Sequence, residues 1–351
     1  MDDSILFYII IPVFNGEDYI DQCIESVYRQ SYNNYKIVMV DDGSCDNSFS
    51  LCEQYARKDA RIVVLHQDNR GQLASRDTAV RYVISHNSSI DSAFFVFLDV
   101  DDQLKDKALF EIKSAIDEYG CDIVVFGFDR VIGDGTIVKS YCPERHYSGC
   151  IDNKRLLYKV ILGNNNYNSM CTKAISVKLY SDVDYEDFYH VRHGEDLVQS
   201  LSYLKNSNKV LFLNEALYNY RVNLNSVSNK INCDNYDFGS KVREYVWQFI
   251  KSEAVWTEED FEEYALFCKR LLIRKINTVA KFNVSLKKRR DMMSQMRHNA
   301  YYSQLLESYG GNGIVLFLFQ QEQYLFLCLL IVLGSKSVEL FKAIKDIIRI
   351  G

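Results

Sequence analysis

Strand-like and helix-like segments alternate through the first 130 residues, and this rhythm is the feature that most narrows the fold. Residues 7–12 form a continuous apolar run, the pattern of a strand buried on both faces. Ile20, Cys23, Ile24, Val27 and Tyr28 then keep helical spacing, with Asp18 placed to cap them. A second strand over residues 36–40 stops at Asp41-Asp42-Gly43-Ser44, and Asp46 opens a helix with Phe49, Cys52, Tyr55 and Ala56 on one face. Residues 62–65 read as a third strand and 73–85 as a helix; the fourth strand, 94–98, runs straight into Asp99-Val100-Asp101-Asp102. Such alternation calls for an α/β layer with a mainly parallel sheet, in which ligands bind beyond the carboxyl ends of the strands. Pro12-Val13-Phe14-Asn15, Asp41-Asp42-Gly43-Ser44 and Asp99-Val100-Asp101-Asp102 are therefore expected at one edge.

Further along, residues 123–128 read as a strand, 152–162 and 195–204 as helices, and 210–213 and 217–221 as two short strands. From residue 236 the chain is helical and richer in charge, so the expected division is 1–230, with halves 1–130 and 131–230, followed by a helical region 231–351. Lys287-Lys288-Arg289-Arg290 reads as a solvated helix end. Residues 314–319 and 324–333 are apolar, and the second run is about half of what a bilayer-spanning helix needs. Beyond Gly334, Val338, Phe341, Ile344, Ile347 and Ile348 alternate with Lys336, Lys342, Lys345 and Arg349 in an amphipathic pattern. Two readings stay open for this terminus: a helix lying on an anionic membrane surface, or a helical hairpin packed on the core or on a second copy.

A net charge of −6 argues against a general nucleic-acid binder. Ten cysteines without a C-x-x-C pair read as reduced, mostly buried thiols. Met1-Asp2-Asp3-Ser4 lacks the basic start of a signal peptide, so a cytoplasmic protein is expected.

Asp99, Asp101 and Asp102 gather three carboxylates within four positions. Carboxylates that close repel one another and resist burial unless a cation answers them. Hard oxygen ligands suit Mg²⁺ or Mn²⁺, and Mg²⁺ usually takes one or two carboxylates together with substrate phosphates. An EF-hand loop would need glycine where Leu104 stands; a Walker NTPase needs a Gly-Lys pair the chain lacks; no G-x-G-x-x-G follows the first strand. A D-x-D phosphatase and a plain acidic surface loop remain open on this motif alone. Asp41-Asp42-Gly43-Ser44 reads equally as a ligand for a uracil ring N–H or ribose hydroxyls and as a turn. His190 and His193 lack the neighbours of a zinc site.

In combination the spacings say more. Ile9-Ile10-Ile11-Pro12-Val13-Phe14-Asn15, Val38-Met39-Val40-Asp41-Asp42-Gly43-Ser44-Cys45-Asp46-Asn47-Ser48, the stretch 71–76, and Phe97-Leu98-Asp99-Val100-Asp101-Asp102 resemble the family 2 glycosyltransferases of the GT-A fold, such as those that build bacterial O-antigen, capsule and exopolysaccharide. The likeness covers residues 5–130 and continues more weakly to 228 through Cys171-Thr172-Lys173, His193-Gly194-Glu195-Asp196 and Leu217-Tyr218-Asn219-Tyr220-Arg221. It implies a nucleotide-sugar half over 1–130 and an acceptor half over 131–230. It also implies an inverting transfer from a UDP-sugar to a saccharide acceptor, expected to be lipid-linked, with Mn²⁺ or Mg²⁺.

Carried over by position, Pro12 and Phe14 flank the nucleobase, Asp42 binds uracil with Asp41 beside it, and Arg76 sits near the nucleotide. Asp99 lies at the ribose or sugar and beside the metal, Asp101 holds the metal, and Asp102 supports the site or orients the sugar. Asp196 is the implied base, with Glu195 and His193 on the acceptor side. Without the resemblance, Glu195 and Asp196 read as ordinary negative charge at a helix N-terminus. The chain departs from the family pattern with Phe14 for tyrosine, Asp77 for asparagine and Ala79 for glycine. The expected partners are a UDP-sugar and a saccharide, not nucleic acid, with a homodimer or a peripheral contact of 314–351 on the inner face of the cytoplasmic membrane. The alternatives are a non-catalytic nucleotide-sugar or carbohydrate binder on the same fold, or a D-x-D phosphatase.

Overall fold

β1 (Leu6–Val13) is the strand against which the others are laid, and every residue from Phe7 onward in it is buried. It is followed by α1 (Ile20–Tyr28), β2 (Tyr35–Asp41), α2 (Ser48–Lys58), β3 (Ile62–His66), α3 (Gln72–His86) and β4 (Ala93–Phe97). A computed structural model describes residues 5–86, 92–133, 135–144, 149–191, 193–222, 239–310 and 313–333. The chain divides into two compact units, Met1–Asn229 and Lys230–Gly351. In the first, β5 (Gln103–Leu104), α4 (Ala108–Tyr119), β6 (Ile123–Val131), β7 (Ile137–Tyr141), β8 (Gly149–Ile151), α5 (Lys154–Gly163), β9 (Lys173–Ser176), α6 (Glu195–Asn206) and β10 (Val210–Arg221) complete the order. The sheet runs β3-β2-β1-β4-β9-β6-β10-β5, with β7 added on β6 and β8 on β10.

The first four strands are mutually parallel; β9 is antiparallel to both its neighbours, and β10 returns parallel to β6. Register decides where the chemistry falls. Val13 pairs with Asp41 and Ile10 with Phe97, so the polar clusters after β1, β2 and β4 leave the sheet at the same edge. This is the α/β arrangement expected from the alternation. The central strands are apolar throughout because both faces are covered, which is why they read as runs rather than as alternation.

Several local expectations change. Asp18 does not cap α1, which starts after Tyr19 with no side-chain cap bond. Asp46 acts from one residue before the helix boundary: its Oδ1 accepts from Ser48 N at 2.9 Å, and α2 begins at Ser48. α5 starts at Lys154, capped by Asn153 rather than opened by Asp152. The two short strands expected at 210–213 and 217–221 are one strand, β10, carrying register shifts between Phe212 and Ala216 and between Ala216 and Tyr218. A bulge breaks strict alternation, so a continuous bent strand reads as two.

Close approach requires glycine at positions that include Gly16 and Gly71. A Cβ on Gly16 would lie 2.9 Å from Val100 Cγ1, so the loop after β1 can lie against the loop after β4. Gly71 has φ +95°, and a Cβ there would lie 2.4 Å from the Tyr189 carbonyl oxygen.

The second unit is helical: α7 (Ser240–Glu253), α8 (Glu258–Lys281), α9 (Leu286–Arg297), α10 (Ala300–Tyr309), α11 (Ile314–Gln320) and α12 (Tyr324–Leu333). α8 opens with a capping box in which Thr257 and Asp260 satisfy each other's backbone N–H. Leu272, Ile276, Met293, Met296, Leu327 and Cys328 are buried where α8, α9 and α12 pack together. Among the described residues no helix is long and apolar enough to cross a membrane. The amphipathic pattern from Lys336 to Arg349 lies outside the described residues. The nine described cysteines are free thiols.

Replacing Gly71 by alanine forces both a left-handed backbone and a backbone clash. Gly71→Ala should cost about 2 kcal/mol or more, read as a lower urea midpoint; an unchanged midpoint would show that the 189 loop can simply move away.

Candidate active site

Two loops at the carboxyl edge of the sheet are sewn together by the residues of the Asp-Asp-Gly-Ser motif and its continuation. Ser44 Oγ accepts from Asn15 N at 3.0 Å, Ser48 Oγ from Gly16 N at 2.8 Å, and Asp46 Oδ2 from Glu17 N at 3.2 Å. In return Asn15 Oδ1 accepts from Cys45 N at 2.8 Å, and Glu17 Oε2 accepts from Asn47 N at 3.0 Å. Gly43 and Ser44 thus take the place in a turn that the sequence allowed them.

Asp42 organises a third loop. Its Oδ1 accepts from Gln67 Nε2 at 2.7 Å and Arg70 N at 2.9 Å, and its Oδ2 from Gly71 N at 2.8 Å. Asp41 is fully buried, with Oδ2 bonded to His66 Nδ1 at 2.8 Å. Phe14 is 49% exposed at this edge and offers a ring face to a planar ligand. Pro12, expected beside it, is buried within β1 opposite Val40. The strand must stay covered up to its last residue, which places the proline ring in the core.

After β4 the three carboxylates separate in function. Asp102 is 2% exposed; its Oδ2 accepts from Tyr218 OH at 2.7 Å and its Oδ1 from Arg221 N at 2.7 Å. Tyr218 OH also accepts from Asp99 N at 3.2 Å. Asp102 thus supports the loop by pinning it to β10. Burial, with Asp101 and Asp99 adding to it, pushes its carboxyl well above the usual range. Asp101 is half-buried, and burial plus the charge of Asp99 push it up to about 6. Asp99 Oδ1 accepts from Gln72 Nε2 at 2.6 Å and from Arg76 Nη2 at 2.9 Å, with the side chain 24% exposed.

Arg76, expected near the nucleotide, is enclosed, 1% exposed, on the buried face of α3. Its guanidinium spans two carboxylates: Nη2 donates to Asp99 and Nη1 to Asp196 Oδ1. Nη2 also reaches Cys171 Sγ at 3.6 Å. Burial opposes this charge, yet Asp196 and Asp99 together hold the guanidinium well above its ordinary pKa. One rigid fork therefore sets the distance between the Asp-x-Asp loop and the start of α6.

Asp196 Oδ2 accepts from Met170 N at 3.2 Å, and the side chain remains 22% exposed. A carboxylate oriented by two donors and still partly open can take a proton from a hydroxyl laid against it. Glu195 precedes it with Oε2 enclosed and without a hydrogen-bond partner; burial and the charge of Asp196 push it up to about 7. His190 and His193 are exposed. The departure at Asp77 has a local explanation: its Oδ2 accepts from Arg81 Nε at 2.9 Å and from Tyr189 OH at 2.9 Å, tying α3 to the loop before Gly194.

Among the described residues no group of three or more His, Cys, Asp or Glu side chains could hold a metal by itself. The donor set that is present, Asp101 with Asp99, fits a cation completed by substrate phosphate. Two carboxylates stand together at a half-open edge, and the charge of one raises the pKa of the other.

The sequence profile described as Glycosyl transferase family 2 matches residues 8–183. Glycosyltransferase GlyA of Streptococcus pneumoniae is 29% identical over 238 residues, 65% of this chain and 32% of GlyA. The glycosyltransferase EpsJ of Bacillus subtilis is 28% identical over 231 residues, 64% of this chain and 63% of EpsJ. The chain therefore spans less than two thirds of either relative. Among solved structures, S. aureus TarS 1–349 in complex with UDP superposes with a TM-score of 0.66 at 19% identity, covering 94% of this chain and 92% of that one. The resemblance in fold thus extends past the family match into the helical C-terminal region.

The raised pKa of Asp101 has a definite sign. A carboxyl that binds its proton more tightly when folded than when unfolded favours the fold at low pH and becomes a cost as pH rises through about 6. In metal-free buffer Asp101→Asn should therefore stabilise the protein at pH 7 by roughly 1–2 kcal/mol after solvent screening. The gain in melting temperature should shrink towards pH 4.5. An equal gain at both pH values would contradict the assignment.

Proposed function

The chain belongs to glycosyl transferase family 2, and from that premise we propose that it transfers a sugar with inversion from a UDP-sugar to a saccharide hydroxyl in the assembly of a bacterial surface polysaccharide. The observation that carries the reading is the Arg76 fork, which holds Asp196 beside the Asp99–Asp101 loop. The relatives lend support to the substrate class: TarS of S. aureus is a poly(ribitol-phosphate) beta-N-acetylglucosaminyltransferase whose structure has been solved with UDP-GlcNAc.

In this reading the uracil ring stacks on Phe14 and its N–H is accepted by Asp42, whose oxygens are already fixed by the 67–71 loop. Asp99 faces the donor, and Asp101 with Asp99 would hold Mn²⁺ or Mg²⁺ against the diphosphate. A divalent cation bound there supplies positive charge that stabilises the departing UDP. The acceptor oxygen attacks the anomeric carbon, its proton passes to a carboxylate oxygen of Asp196, and the bond from that carbon to the UDP oxygen breaks with its electron pair. Met170 N–H and Arg76 keep the base pointed along one line through this step. Glu195 lies behind Asp196 with an enclosed carboxyl, which favours Asp196 as the proton acceptor.

The test is UDP release from a panel of UDP-glucose, UDP-galactose and UDP-N-acetylglucosamine with Mn²⁺ or Mg²⁺, with and without saccharide acceptors. Asp196→Asn should lower kcat by about 10²–10⁴-fold while UDP still binds. Unchanged turnover would remove Asp196 as the base, and binding of UDP with no turnover of any donor would favour the non-catalytic alternative.

The C-terminal helices bear on the acceptor. Phe317, Leu325 and Leu329 are exposed on α11 and α12, an apolar surface suited to a lipid-linked saccharide at an anionic membrane. Leu325→Glu with Leu329→Glu, both outside the core, should release the protein from vesicles of phosphatidylglycerol. Equal binding of the wild type and the double variant, or none by either, would remove this role.

A further inference from the structure

Lys173 is an odd residue to find in a core strand. It stands at the first position of β9, paired in register with Val125, and is 0% exposed. A buried lysine is costly unless its ammonium is well satisfied. Here Nζ donates to the Tyr167 carbonyl at 2.6 Å and to the Ser169 carbonyl at 2.6 Å. Those carbonyls belong to a tight turn that is bonded to α6. Met170 N donates to Asp196 Oδ2 at 3.2 Å, and the Asn168 carbonyl accepts from Ser200 Oγ at 3.2 Å. Within the turn, Ser169 Oγ accepts from Cys171 N at 3.2 Å. The lysine therefore closes from below the turn whose upper edge orients the proposed base.

We infer that Lys173 is a positioning residue for Asp196, acting through the 167–170 turn so that the Met170 N–H meets the carboxylate. The inference rests on the reading of Asp196 as base. Arg76 fixes one oxygen of that carboxylate from α3, and the Lys173 turn fixes the other from β9. A carboxylate held on both oxygens by separate elements keeps a single orientation, which is what abstraction of a proton at one place requires. Lys173 is also an electrostatic neighbour of the base: burial pushes its ammonium down to about 7, against the pull of Asp196. Arg76, Glu195 and Cys171 are further charged or titratable neighbours of Asp196.

The test compares Lys173→Met with wild type in the UDP-sugar assay, with Asp196→Asn run alongside. A lysine that only stabilises the sheet would leave a folded variant with wild-type turnover. A positioning lysine lowers kcat by about 10- to 100-fold with little change in UDP affinity. Wild-type kcat in folded Lys173→Met, with Asp196→Asn inactive, overturns the inference alone. Full activity of Asp196→Asn overturns the base reading and the inference with it.

Should Lys173→Met not fold, Met170→Pro addresses the same path. Met170 is the first residue of its 3₁₀ turn, where proline is tolerated, and the change deletes the N–H given to Asp196. Loss of kcat with UDP binding kept supports the inference; retained kcat, or failure of both variants to fold, assigns the turn to stability and overturns it.

Discussion

A single buried guanidinium holds the site together. Arg76 is closed off from solvent and donates to two carboxylates that come from separate parts of the chain, Asp99 after β4 and Asp196 at the start of α6. Neither partner is dispensable to it. Removing one would leave a buried charge short of compensation, a change that typically costs about 3–5 kcal/mol. Lysine could keep the charge but not the fork, and so could not fix both carboxylates at once. The distance between the donor edge and the proposed base is thus set by a covalently rigid group rather than by loop packing.

Around that fork the loops are fixed by hydrogen bonds between backbone and motif side chains. Ser44, Asp46 and Ser48 secure the loop after β1; Asp42 secures the loop before α3; Asp102 secures the Asp-x-Asp loop to β10. Much of what looks like binding chemistry in the sequence is therefore structural in its first role. Asp99, Asp101 and Asp196 keep more exposure than Asp41, Asp42 and Asp102. The division follows from burial: a carboxylate can be enclosed when backbone N–H groups and hydroxyls satisfy it.

The sheet edge was legible because long apolar runs mark buried parallel strands and the polar residue after each run marks its carboxyl end. Asp41, Asp99 and Asp101 could be placed at that edge from spacing alone. What spacing cannot show is direction into the core. Pro12, Arg76 and Asp102 all lie where the sequence put them, yet each turns inward. Lys173 was visible only as part of a family motif, because nothing local distinguishes a buried lysine from a solvated one. β9 is four residues long and β10 is broken by bulges, so neither offers a full period to read. Arg76 from α3 and Met170 from the turn before β9 meet at Asp196 on α6, and such long-range meetings leave no local trace.

The measurement that bears most directly on this account is the steady-state kinetics of Arg76→Lys with a UDP-sugar donor, together with its affinity for UDP. If the fork sets the base relative to the donor, kcat falls by about tenfold or more, and the loss exceeds any loss of UDP affinity. Turnover equal to wild type in the folded variant would mean that Asp99 and Asp196 do not depend on a shared guanidinium, and the central claim would be wrong.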